Sequence, residues 1–288
     1  MKNRLQLLGA MSIFGTIGIF VKYIPLPSAA IAFARGILGV LFLILTMALT
    51  RQKPAWAAMR KNLRILVLSG AAIGVNWVLL FESYRYTSVA VSTICYYFAP
   101  LFLILMSPFL GEKLSGKKLL CVFIAFGGMV LLSGVTEGAA ITKDQILGIL
   151  CATGAAVFYA TVMMLNKKLS PIPAYDKTVI QLAAASLVIL PYLLVTTGFG
   201  FAELTPLGWV LLAIVGFVHT GFAYALYFGS MKALPAHTIA IFSYLDPVLA
   251  VILSAVVLRE QLTLAGVLGA ILILGSALYS ELPEKKKG

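Results

Sequence analysis

The chain has 288 residues, 61% of them hydrophobic and 11% charged, with mean hydropathy +1.02. A soluble domain carries about 25% charged residues, so this one lacks the polar surface to cover itself in water, which excludes a cytosolic enzyme, a secreted domain and a disordered tail. The net charge of +12 falls mostly between apolar runs, as membrane-flanking charge does, and not as the basic face of a nucleic-acid binder.

A spanning helix needs about 20 mainly apolar residues. Met1 to Val21 has a charged start and a long apolar run, and further such runs follow, so a first transmembrane helix is expected there rather than a cleaved signal. Apolar runs lie at 5–21, 28–50, 65–81, 87–110, 118–135, 145–165, 178–197, 207–228, 236–258 and 262–280, which predicts ten transmembrane helices. The breaks carry turn or charge signals: Pro25-Leu26-Pro27-Ser28, Arg51-Gln52-Lys53-Pro54, Gly111-Glu112-Lys113, Pro171-Ile172-Pro173 and Arg259-Glu260. Strand alternation is absent, which argues against a membrane barrel. No break is long enough for a separate soluble domain. The expected fold class is an all-α membrane protein. Cys95, Cys121 and Cys151 sit in apolar stretches without CxxC or Cys/His spacing, so neither a disulfide framework nor a metal site is expected.

Orientation follows from Lys and Arg in alternate breaks. With the N-terminus inside, seventeen fall on the cytoplasmic side, among them Lys53, Arg60, Lys113, Lys117, Lys168 and Lys177. Four fall outside: Lys22, Arg85, Lys143 and Arg259. Both termini are therefore expected in the cytoplasm.

Gly111-Glu112-Lys113-Leu114 opens the fifth run and Arg259-Glu260-Gln261-Leu262 the tenth, 148 residues later; Gly127 and Gly275 share that offset. An offset of 147 relates Tyr97 to Tyr244, Pro100 to Pro247 and Arg85 to Lys232. Leu8-Gly9 recurs as Leu147-Gly148, and Gly15 as Gly154. These matches predict two five-helix repeats, 1–136 and 137–288. Because five is odd, the second enters the membrane inverted, a transporter architecture with its site between the halves.

Asn76-Trp77, Phe81-Glu82, Tyr96-Tyr97-Phe98-Ala99-Pro100 and Gly111-Glu112-Lys113-Leu114 resemble the EamA family of the drug/metabolite transporter superfamily. So do His219-Thr220-Gly221, Ala223-Tyr224, Ser243-Tyr244-Leu245-Asp246-Pro247 and Arg259-Glu260-Gln261-Leu262 in the second half. The resemblance implies a metabolite carrier of the bacterial inner membrane with a central cavity, similar to amino-acid exporters of the YddG type and more distantly to nucleotide-sugar carriers.

An ionisable side chain at membrane depth costs about 2.5–3.5 kcal/mol on insertion scales, so each needs a reason. Asp246 is expected about halfway along the ninth helix, before Pro247, either as a structural carboxylate or as a substrate or proton site. Glu82 pairs with Arg85 or acts as an outer-gate acid. Arg35 either snorkels to the outer surface or counters Glu82 or Asp246. His219 is a buried hydrogen-bonder or a proton relay. Asn76 belongs to a small-polar stripe with Ser69, Ala72 and Ser83, suited to close packing or to a cavity wall. Tyr96, Tyr97, Tyr224 and Tyr244 are expected to line the cavity, where buried phenols find partners. Glu112 and Glu260 read as loop and helix-cap residues.

The expected function is secondary transport of a small amphiphilic metabolite, an amino acid or related amine, with export as the expected direction. Asn76, Tyr96, Tyr97, His219, Tyr224, Tyr244 and Asp246 form the expected binding set, with Asp246, Glu82 and Arg35 as coupling or gating candidates. Uptake of a choline-like quaternary amine or of a nucleotide sugar is the alternative. No nucleotide-binding or catalytic constellation occurs, so no cofactor, nucleic acid or enzymatic activity is expected. The small molecule, the bilayer and protons are the expected partners.

Overall fold

The computed structural model describes residues 2–106, 108, 116–132, 142–231, 234, 242–261 and 263–282. Helices α1 (Lys2–Lys22), α2 (Ser28–Leu49), α3 (Trp56–Tyr86), α4 (Val89–Tyr96), α5 (Ala99–Met106) and α6 (Gly116–Leu132) come first. Then follow α7 (Lys143–Lys167), α8 (Ala174–Val195), α9 (Pro206–Ala213), a π-helical stretch (Ile214–Phe222), α10 (Ala223–Met231), α11 (Leu245–Val257) and α12 (Leu264–Glu281). The described residues contain no strand. Among the described residues, seven stretches are long and apolar enough to cross a membrane: α1, α2, α3, α4 with α5, α7, α8, and Pro206–Tyr227. Shorter apolar helices cover Leu245–Val257 and Leu264–Tyr279.

Local chemistry sets the helix ends. Ser88, Thr142, Thr205 and Thr263 each accept the backbone N–H three residues on, closing the first turn of α4, α7, α9 and α12. Glu260 adds a second cap to α4, accepting from the Val89 and Ala90 nitrogens at 2.9 and 3.3 Å. This matches its reading as a cap residue; Glu112 lies outside the described residues.

Two expectations need correction. The 87–110 run is not a single helix: α4 ends at Tyr96, Tyr97 caps it, and α5 starts at Ala99. Asp246 is not halfway along a helix either, but in the first turn of α11, with Tyr244 at the N-cap. The reason is shared. Pro100 and Pro247 have no N–H to give a preceding turn, so each sits in the opening turn of its helix, where that donor has no partner in any case. Tyr97 and Tyr244 thus flank helix breaks.

Two ends of the bundle can be recognised from contacts. The Lys22 ammonium donates to the Tyr84 carbonyl at 2.6 Å, and Gly148 abuts Thr87, so the ends of α1 and α3 and the start of α7 lie together. Asn62 and Ser170 exchange hydrogen bonds, and the Ala55 nitrogen donates to Asp176, so the start of α3 meets the α7–α8 turn.

Packing depends on small residues. α3 lies against α7 and α8, α2 against α8 and the π-helical stretch, α1 against α10 and α11, and α6 against α12. At the α6–α12 crossing, a Cβ on Gly128 would stand 2.7 Å from the Gly269 carbonyl oxygen, so only glycine admits this approach. Large apolar side chains point outward instead: Leu41 and Leu45 on α2, Phe123 on α6, Leu194 and Val195 on α8, and Ile271 on α12. Arg35, Asn76, Gln181 and His219 are buried inside. Apolar outside and polar inside is the pattern of a protein solvated by lipid.

Candidate functional site

Aromatic rings from several helices converge in the interior. Tyr96 stacks on Tyr159 of α7 with centroids 5.4 Å apart and meets Tyr97 edge-on at 6.3 Å. Tyr97 reaches Tyr244 at 6.1 Å, and Phe14 of α1 meets Tyr224 and Tyr227 of α10 at 5.5 and 6.3 Å. Tyr96, Tyr97, Tyr224, Tyr227 and Tyr244 are half-buried, and Tyr159 keeps 36% of its surface accessible. The rings thus form aromatic groups that are packed together without being fully covered.

Asp246 stands beside these rings. Its Oδ2 accepts the Tyr97 hydroxyl at 2.9 Å, and the same hydroxyl lies 3.1 Å from the Ser243 carbonyl oxygen, which precedes α11. The two proline-induced breaks therefore face each other, one supplying a phenol and the other a carboxylate and a carbonyl. Gly15 of α1 lets α11 come this close, since a Cβ there would sit 2.7 Å from the Asp246 carbonyl oxygen.

Arg35 is 5% exposed and does not snorkel. It pairs with neither Glu82 nor Asp246; among the described residues the one ion pair joins Glu82 to Arg85 at 3.9 Å, on a largely exposed site. The Arg35 guanidinium lies 4.0 Å from the centre of the Trp77 ring and 5.4 Å from that of Phe81, and its Nε donates to Thr220 at 3.0 Å. Ring faces take the place of the expected carboxylate, because α3 presents Trp77 and Phe81 toward α2 while Glu82 turns outward.

His219 and Thr220 owe their positions to the π-helical stretch. Both bond carbonyls five residues back, His219 to Ile214 at 3.3 Å and Thr220 to Val215 at 3.0 Å. That wider turn aims His219 at Thr16 of α1 (2.8 Å) and Thr220 at Arg35 of α2. Asn76 donates to the Ala155 carbonyl oxygen of α7 at 2.6 Å, and Tyr96 reaches its Oδ1 at 3.5 Å. Asn76 and His219 are each 2% exposed and join helix pairs, whereas the tyrosines and Asp246 are only partly buried. No group of three metal-ligating side chains occurs among the described residues.

Sequence reasoning singled out neither Tyr159 nor Trp77 as a site residue. The 139-residue offset that relates Gly15 to Gly154 also carries Phe20, which packs on His219 at 4.8 Å, onto Tyr159. No local signal marks Trp77 as the partner of Arg35.

An apolar exterior over buried polar side chains, with several helices long and apolar enough to span a bilayer, defines a multi-pass membrane protein. The profile of the EamA-like transporter family matches residues 3–134 and 146–280, and the chain belongs to that family. It is 31% identical over 266 residues to the uncharacterized transporter YxxF of Bacillus subtilis (strain 168), covering 92% of this chain and 84% of that one. An uncharacterized transporter of Archaeoglobus fulgidus is 24% identical over 93% of this chain and 92% of its own length. A solved crystal structure with 20% identity superimposes with TM-score 0.66 over 97% of this chain and 96% of its own, and so shares the fold.

Proposed function

We propose that the chain is a secondary carrier for a small amphiphilic metabolite, an amino acid or related amine, exported across the cytoplasmic membrane by alternating access. The observation that carries this reading is the meeting of Asp246 and the Tyr97 hydroxyl at two opposed helix breaks beside a group of half-buried tyrosine rings. An ammonium group gains from ring faces and a carboxylate. A nucleotide diphosphate would find one buried cation there, Arg35, and lose several kcal/mol for each unpaired charge.

The carrier is read as ten spans in two inverted repeats, 1–136 and 137–288, with both termini cytoplasmic. Several features support this. The family profile matches the chain twice. Helix pairs recur under exchange of the halves: α3 on α7 answers α10 on α1, and α3 on α8 answers the π-helical stretch on α2. Asn76 bonds residue 155 while His219 bonds residue 16, and those partners differ by the same 139 that relates Gly15 to Gly154. Rocking one half against the other would break and remake the Tyr97–Asp246 contact, which joins them, and protons are the candidate coupling ion at Asp246.

The test is counterflow in proteoliposomes with labelled amino acids, amines including choline, and nucleotide sugars. Accumulation of an amino acid or amine that is reduced in Tyr97→Ala and Tyr244→Ala variants is expected. Competition by nucleotide sugars alone would overturn the assignment.

A further inference from the structure

Arginine stays protonated under all ordinary conditions, and its guanidinium has five N–H donors in a planar fork. At Arg35 that fork is buried at membrane depth, and no carboxylate lies within 4 Å of it among the described residues. Its faces are occupied, since the ring of Trp77 lies at 4.0 Å and that of Phe81 at 5.4 Å. One edge is occupied as well: Nε donates to Thr220 Oγ1, whose own proton goes to the Val215 carbonyl oxygen. No other hydrogen bond to the guanidinium occurs among the described residues. The two terminal nitrogens therefore present the end of the fork, the geometry that accepts both oxygens of one carboxylate.

Next to Arg35 a cavity of about 480 Å³ opens where α1 turns into α2, with Lys22, Ser28, Ile31, Phe81, Tyr84 and Arg85 in its lining and Arg35 directly behind it. Ile31 lies one turn before Arg35 on α2, and Phe81 is the ring that Arg35 itself contacts. Lys22 is fixed at the mouth by its bond to the Tyr84 carbonyl oxygen. Arg85 is offset by Glu82 at 3.9 Å, which leaves Lys22 in the lining and Arg35 behind Phe81 as the cations that favour an anion in this cavity.

We infer that Arg35 is a carboxylate subsite, held by Trp77 and Thr220 and reached through the cavity at the α1–α2 turn. The inference rests on the carrier reading and deepens it: the cargo bears one carboxylate. A single monovalent fork suits a monoanion, and a polyanion would leave charge uncompensated.

Trp77 makes the site observable. The chain has three tryptophans, and Trp56 and Trp209 are 67% and 48% exposed, so Trp56→Phe with Trp209→Phe leaves Trp77 as the reporter without disturbing the core. The probe is sodium acetate against sodium chloride at constant ionic strength, with the protein in nanodiscs. A saturable change in Trp77 emission with acetate, absent with chloride, is expected. Arg35→Gln should weaken it at least about tenfold, and Arg35→Lys, which keeps the charge and loses the fork, should weaken it by a smaller factor. Should Arg35→Gln fail to fold, Arg35→Lys decides by the same criterion. Equal responses to the two salts, or an acetate response unchanged by either substitution, would overturn the inference. The titration needs no cargo, so its failure leaves the carrier reading standing. Failed counterflow with an intact acetate response overturns the carrier reading alone.

Discussion

Removing one oxygen atom at Tyr97 tests how the two helix breaks are joined. In Tyr97→Phe the ring keeps its neighbours, Tyr96 at 6.3 Å and Tyr244 at 6.1 Å, so apolar contact is nearly unchanged. What is lost is the hydroxyl bond to Asp246 at 2.9 Å, with Ser243 as the second acceptor at 3.1 Å. A hydrogen bond to a charged group contributes about 1.5–3 kcal/mol, and a neutral one about 1. Because Asp246 is only half-buried, water can replace part of the loss, and about 1.5 kcal/mol is expected. The assay is a double-mutant cycle of Tyr97→Phe and Asp246→Ala. Unfolding in detergent can be followed with a thiol-reactive dye, since Cys95 and Cys121 are buried in the folded chain. In the Asp246→Ala background the Tyr97 hydroxyl keeps only the Ser243 carbonyl as acceptor, so Tyr97→Phe should lower Tm there by clearly less than it does in the wild-type chain. Losses in Tm that simply add, a coupling under about 0.5 kcal/mol, would refute the contact as an energetic link.

Gly128→Leu should abolish stable folding or cost upward of about 3 kcal/mol, because its side chain meets the Gly269 backbone, while Gly127→Leu, with nothing within 4 Å, should be neutral; yield and Tm in detergent distinguish them. Glu260→Gln should lower stability by about 1 kcal/mol through a weaker cap on α4, measurable in the same melts. Asp246→Asn keeps an accepting oxygen and removes titration, so it should insert normally yet transport with a flattened pH profile; wild-type rate and pH dependence would exclude a proton role. Single cysteines at Lys53 and Lys117 should label from the cytoplasmic side and at Lys143 and Glu203 from outside, and labelling of Lys117 and Lys143 from one side would end the inverted-repeat reading.

The helices were legible in the sequence because the hydropathy of a run is a local property. A stretch such as 28–50 has nowhere to go but lipid or a buried core, and α2 occupies 28–49. The Thr142 and Thr263 caps, which the sequence reading did not single out, are equally local, since each needs only a backbone N–H three residues away. The Glu82–Arg85 pair was within reach of a reader too, being one helical turn long. Pro100 and Pro247 were visible as interruptions, but whether each bends a helix or begins one depends on what packs around it.

The partners of the interior residues were not legible. Arg35 meets Trp77, 42 positions on, and Thr220, 185 on; Asn76 meets residue 155 and His219 meets residue 16. Hydropathy assigns a helix to the membrane without saying which of its faces turns inward, since lipid and a neighbouring helix are equally apolar solvents. That choice is made by glycine approaches such as Gly128 on Gly269, by the wider π-helical turn that re-aims His219 and Thr220, and by polar side chains that find partners only once the helices are side by side.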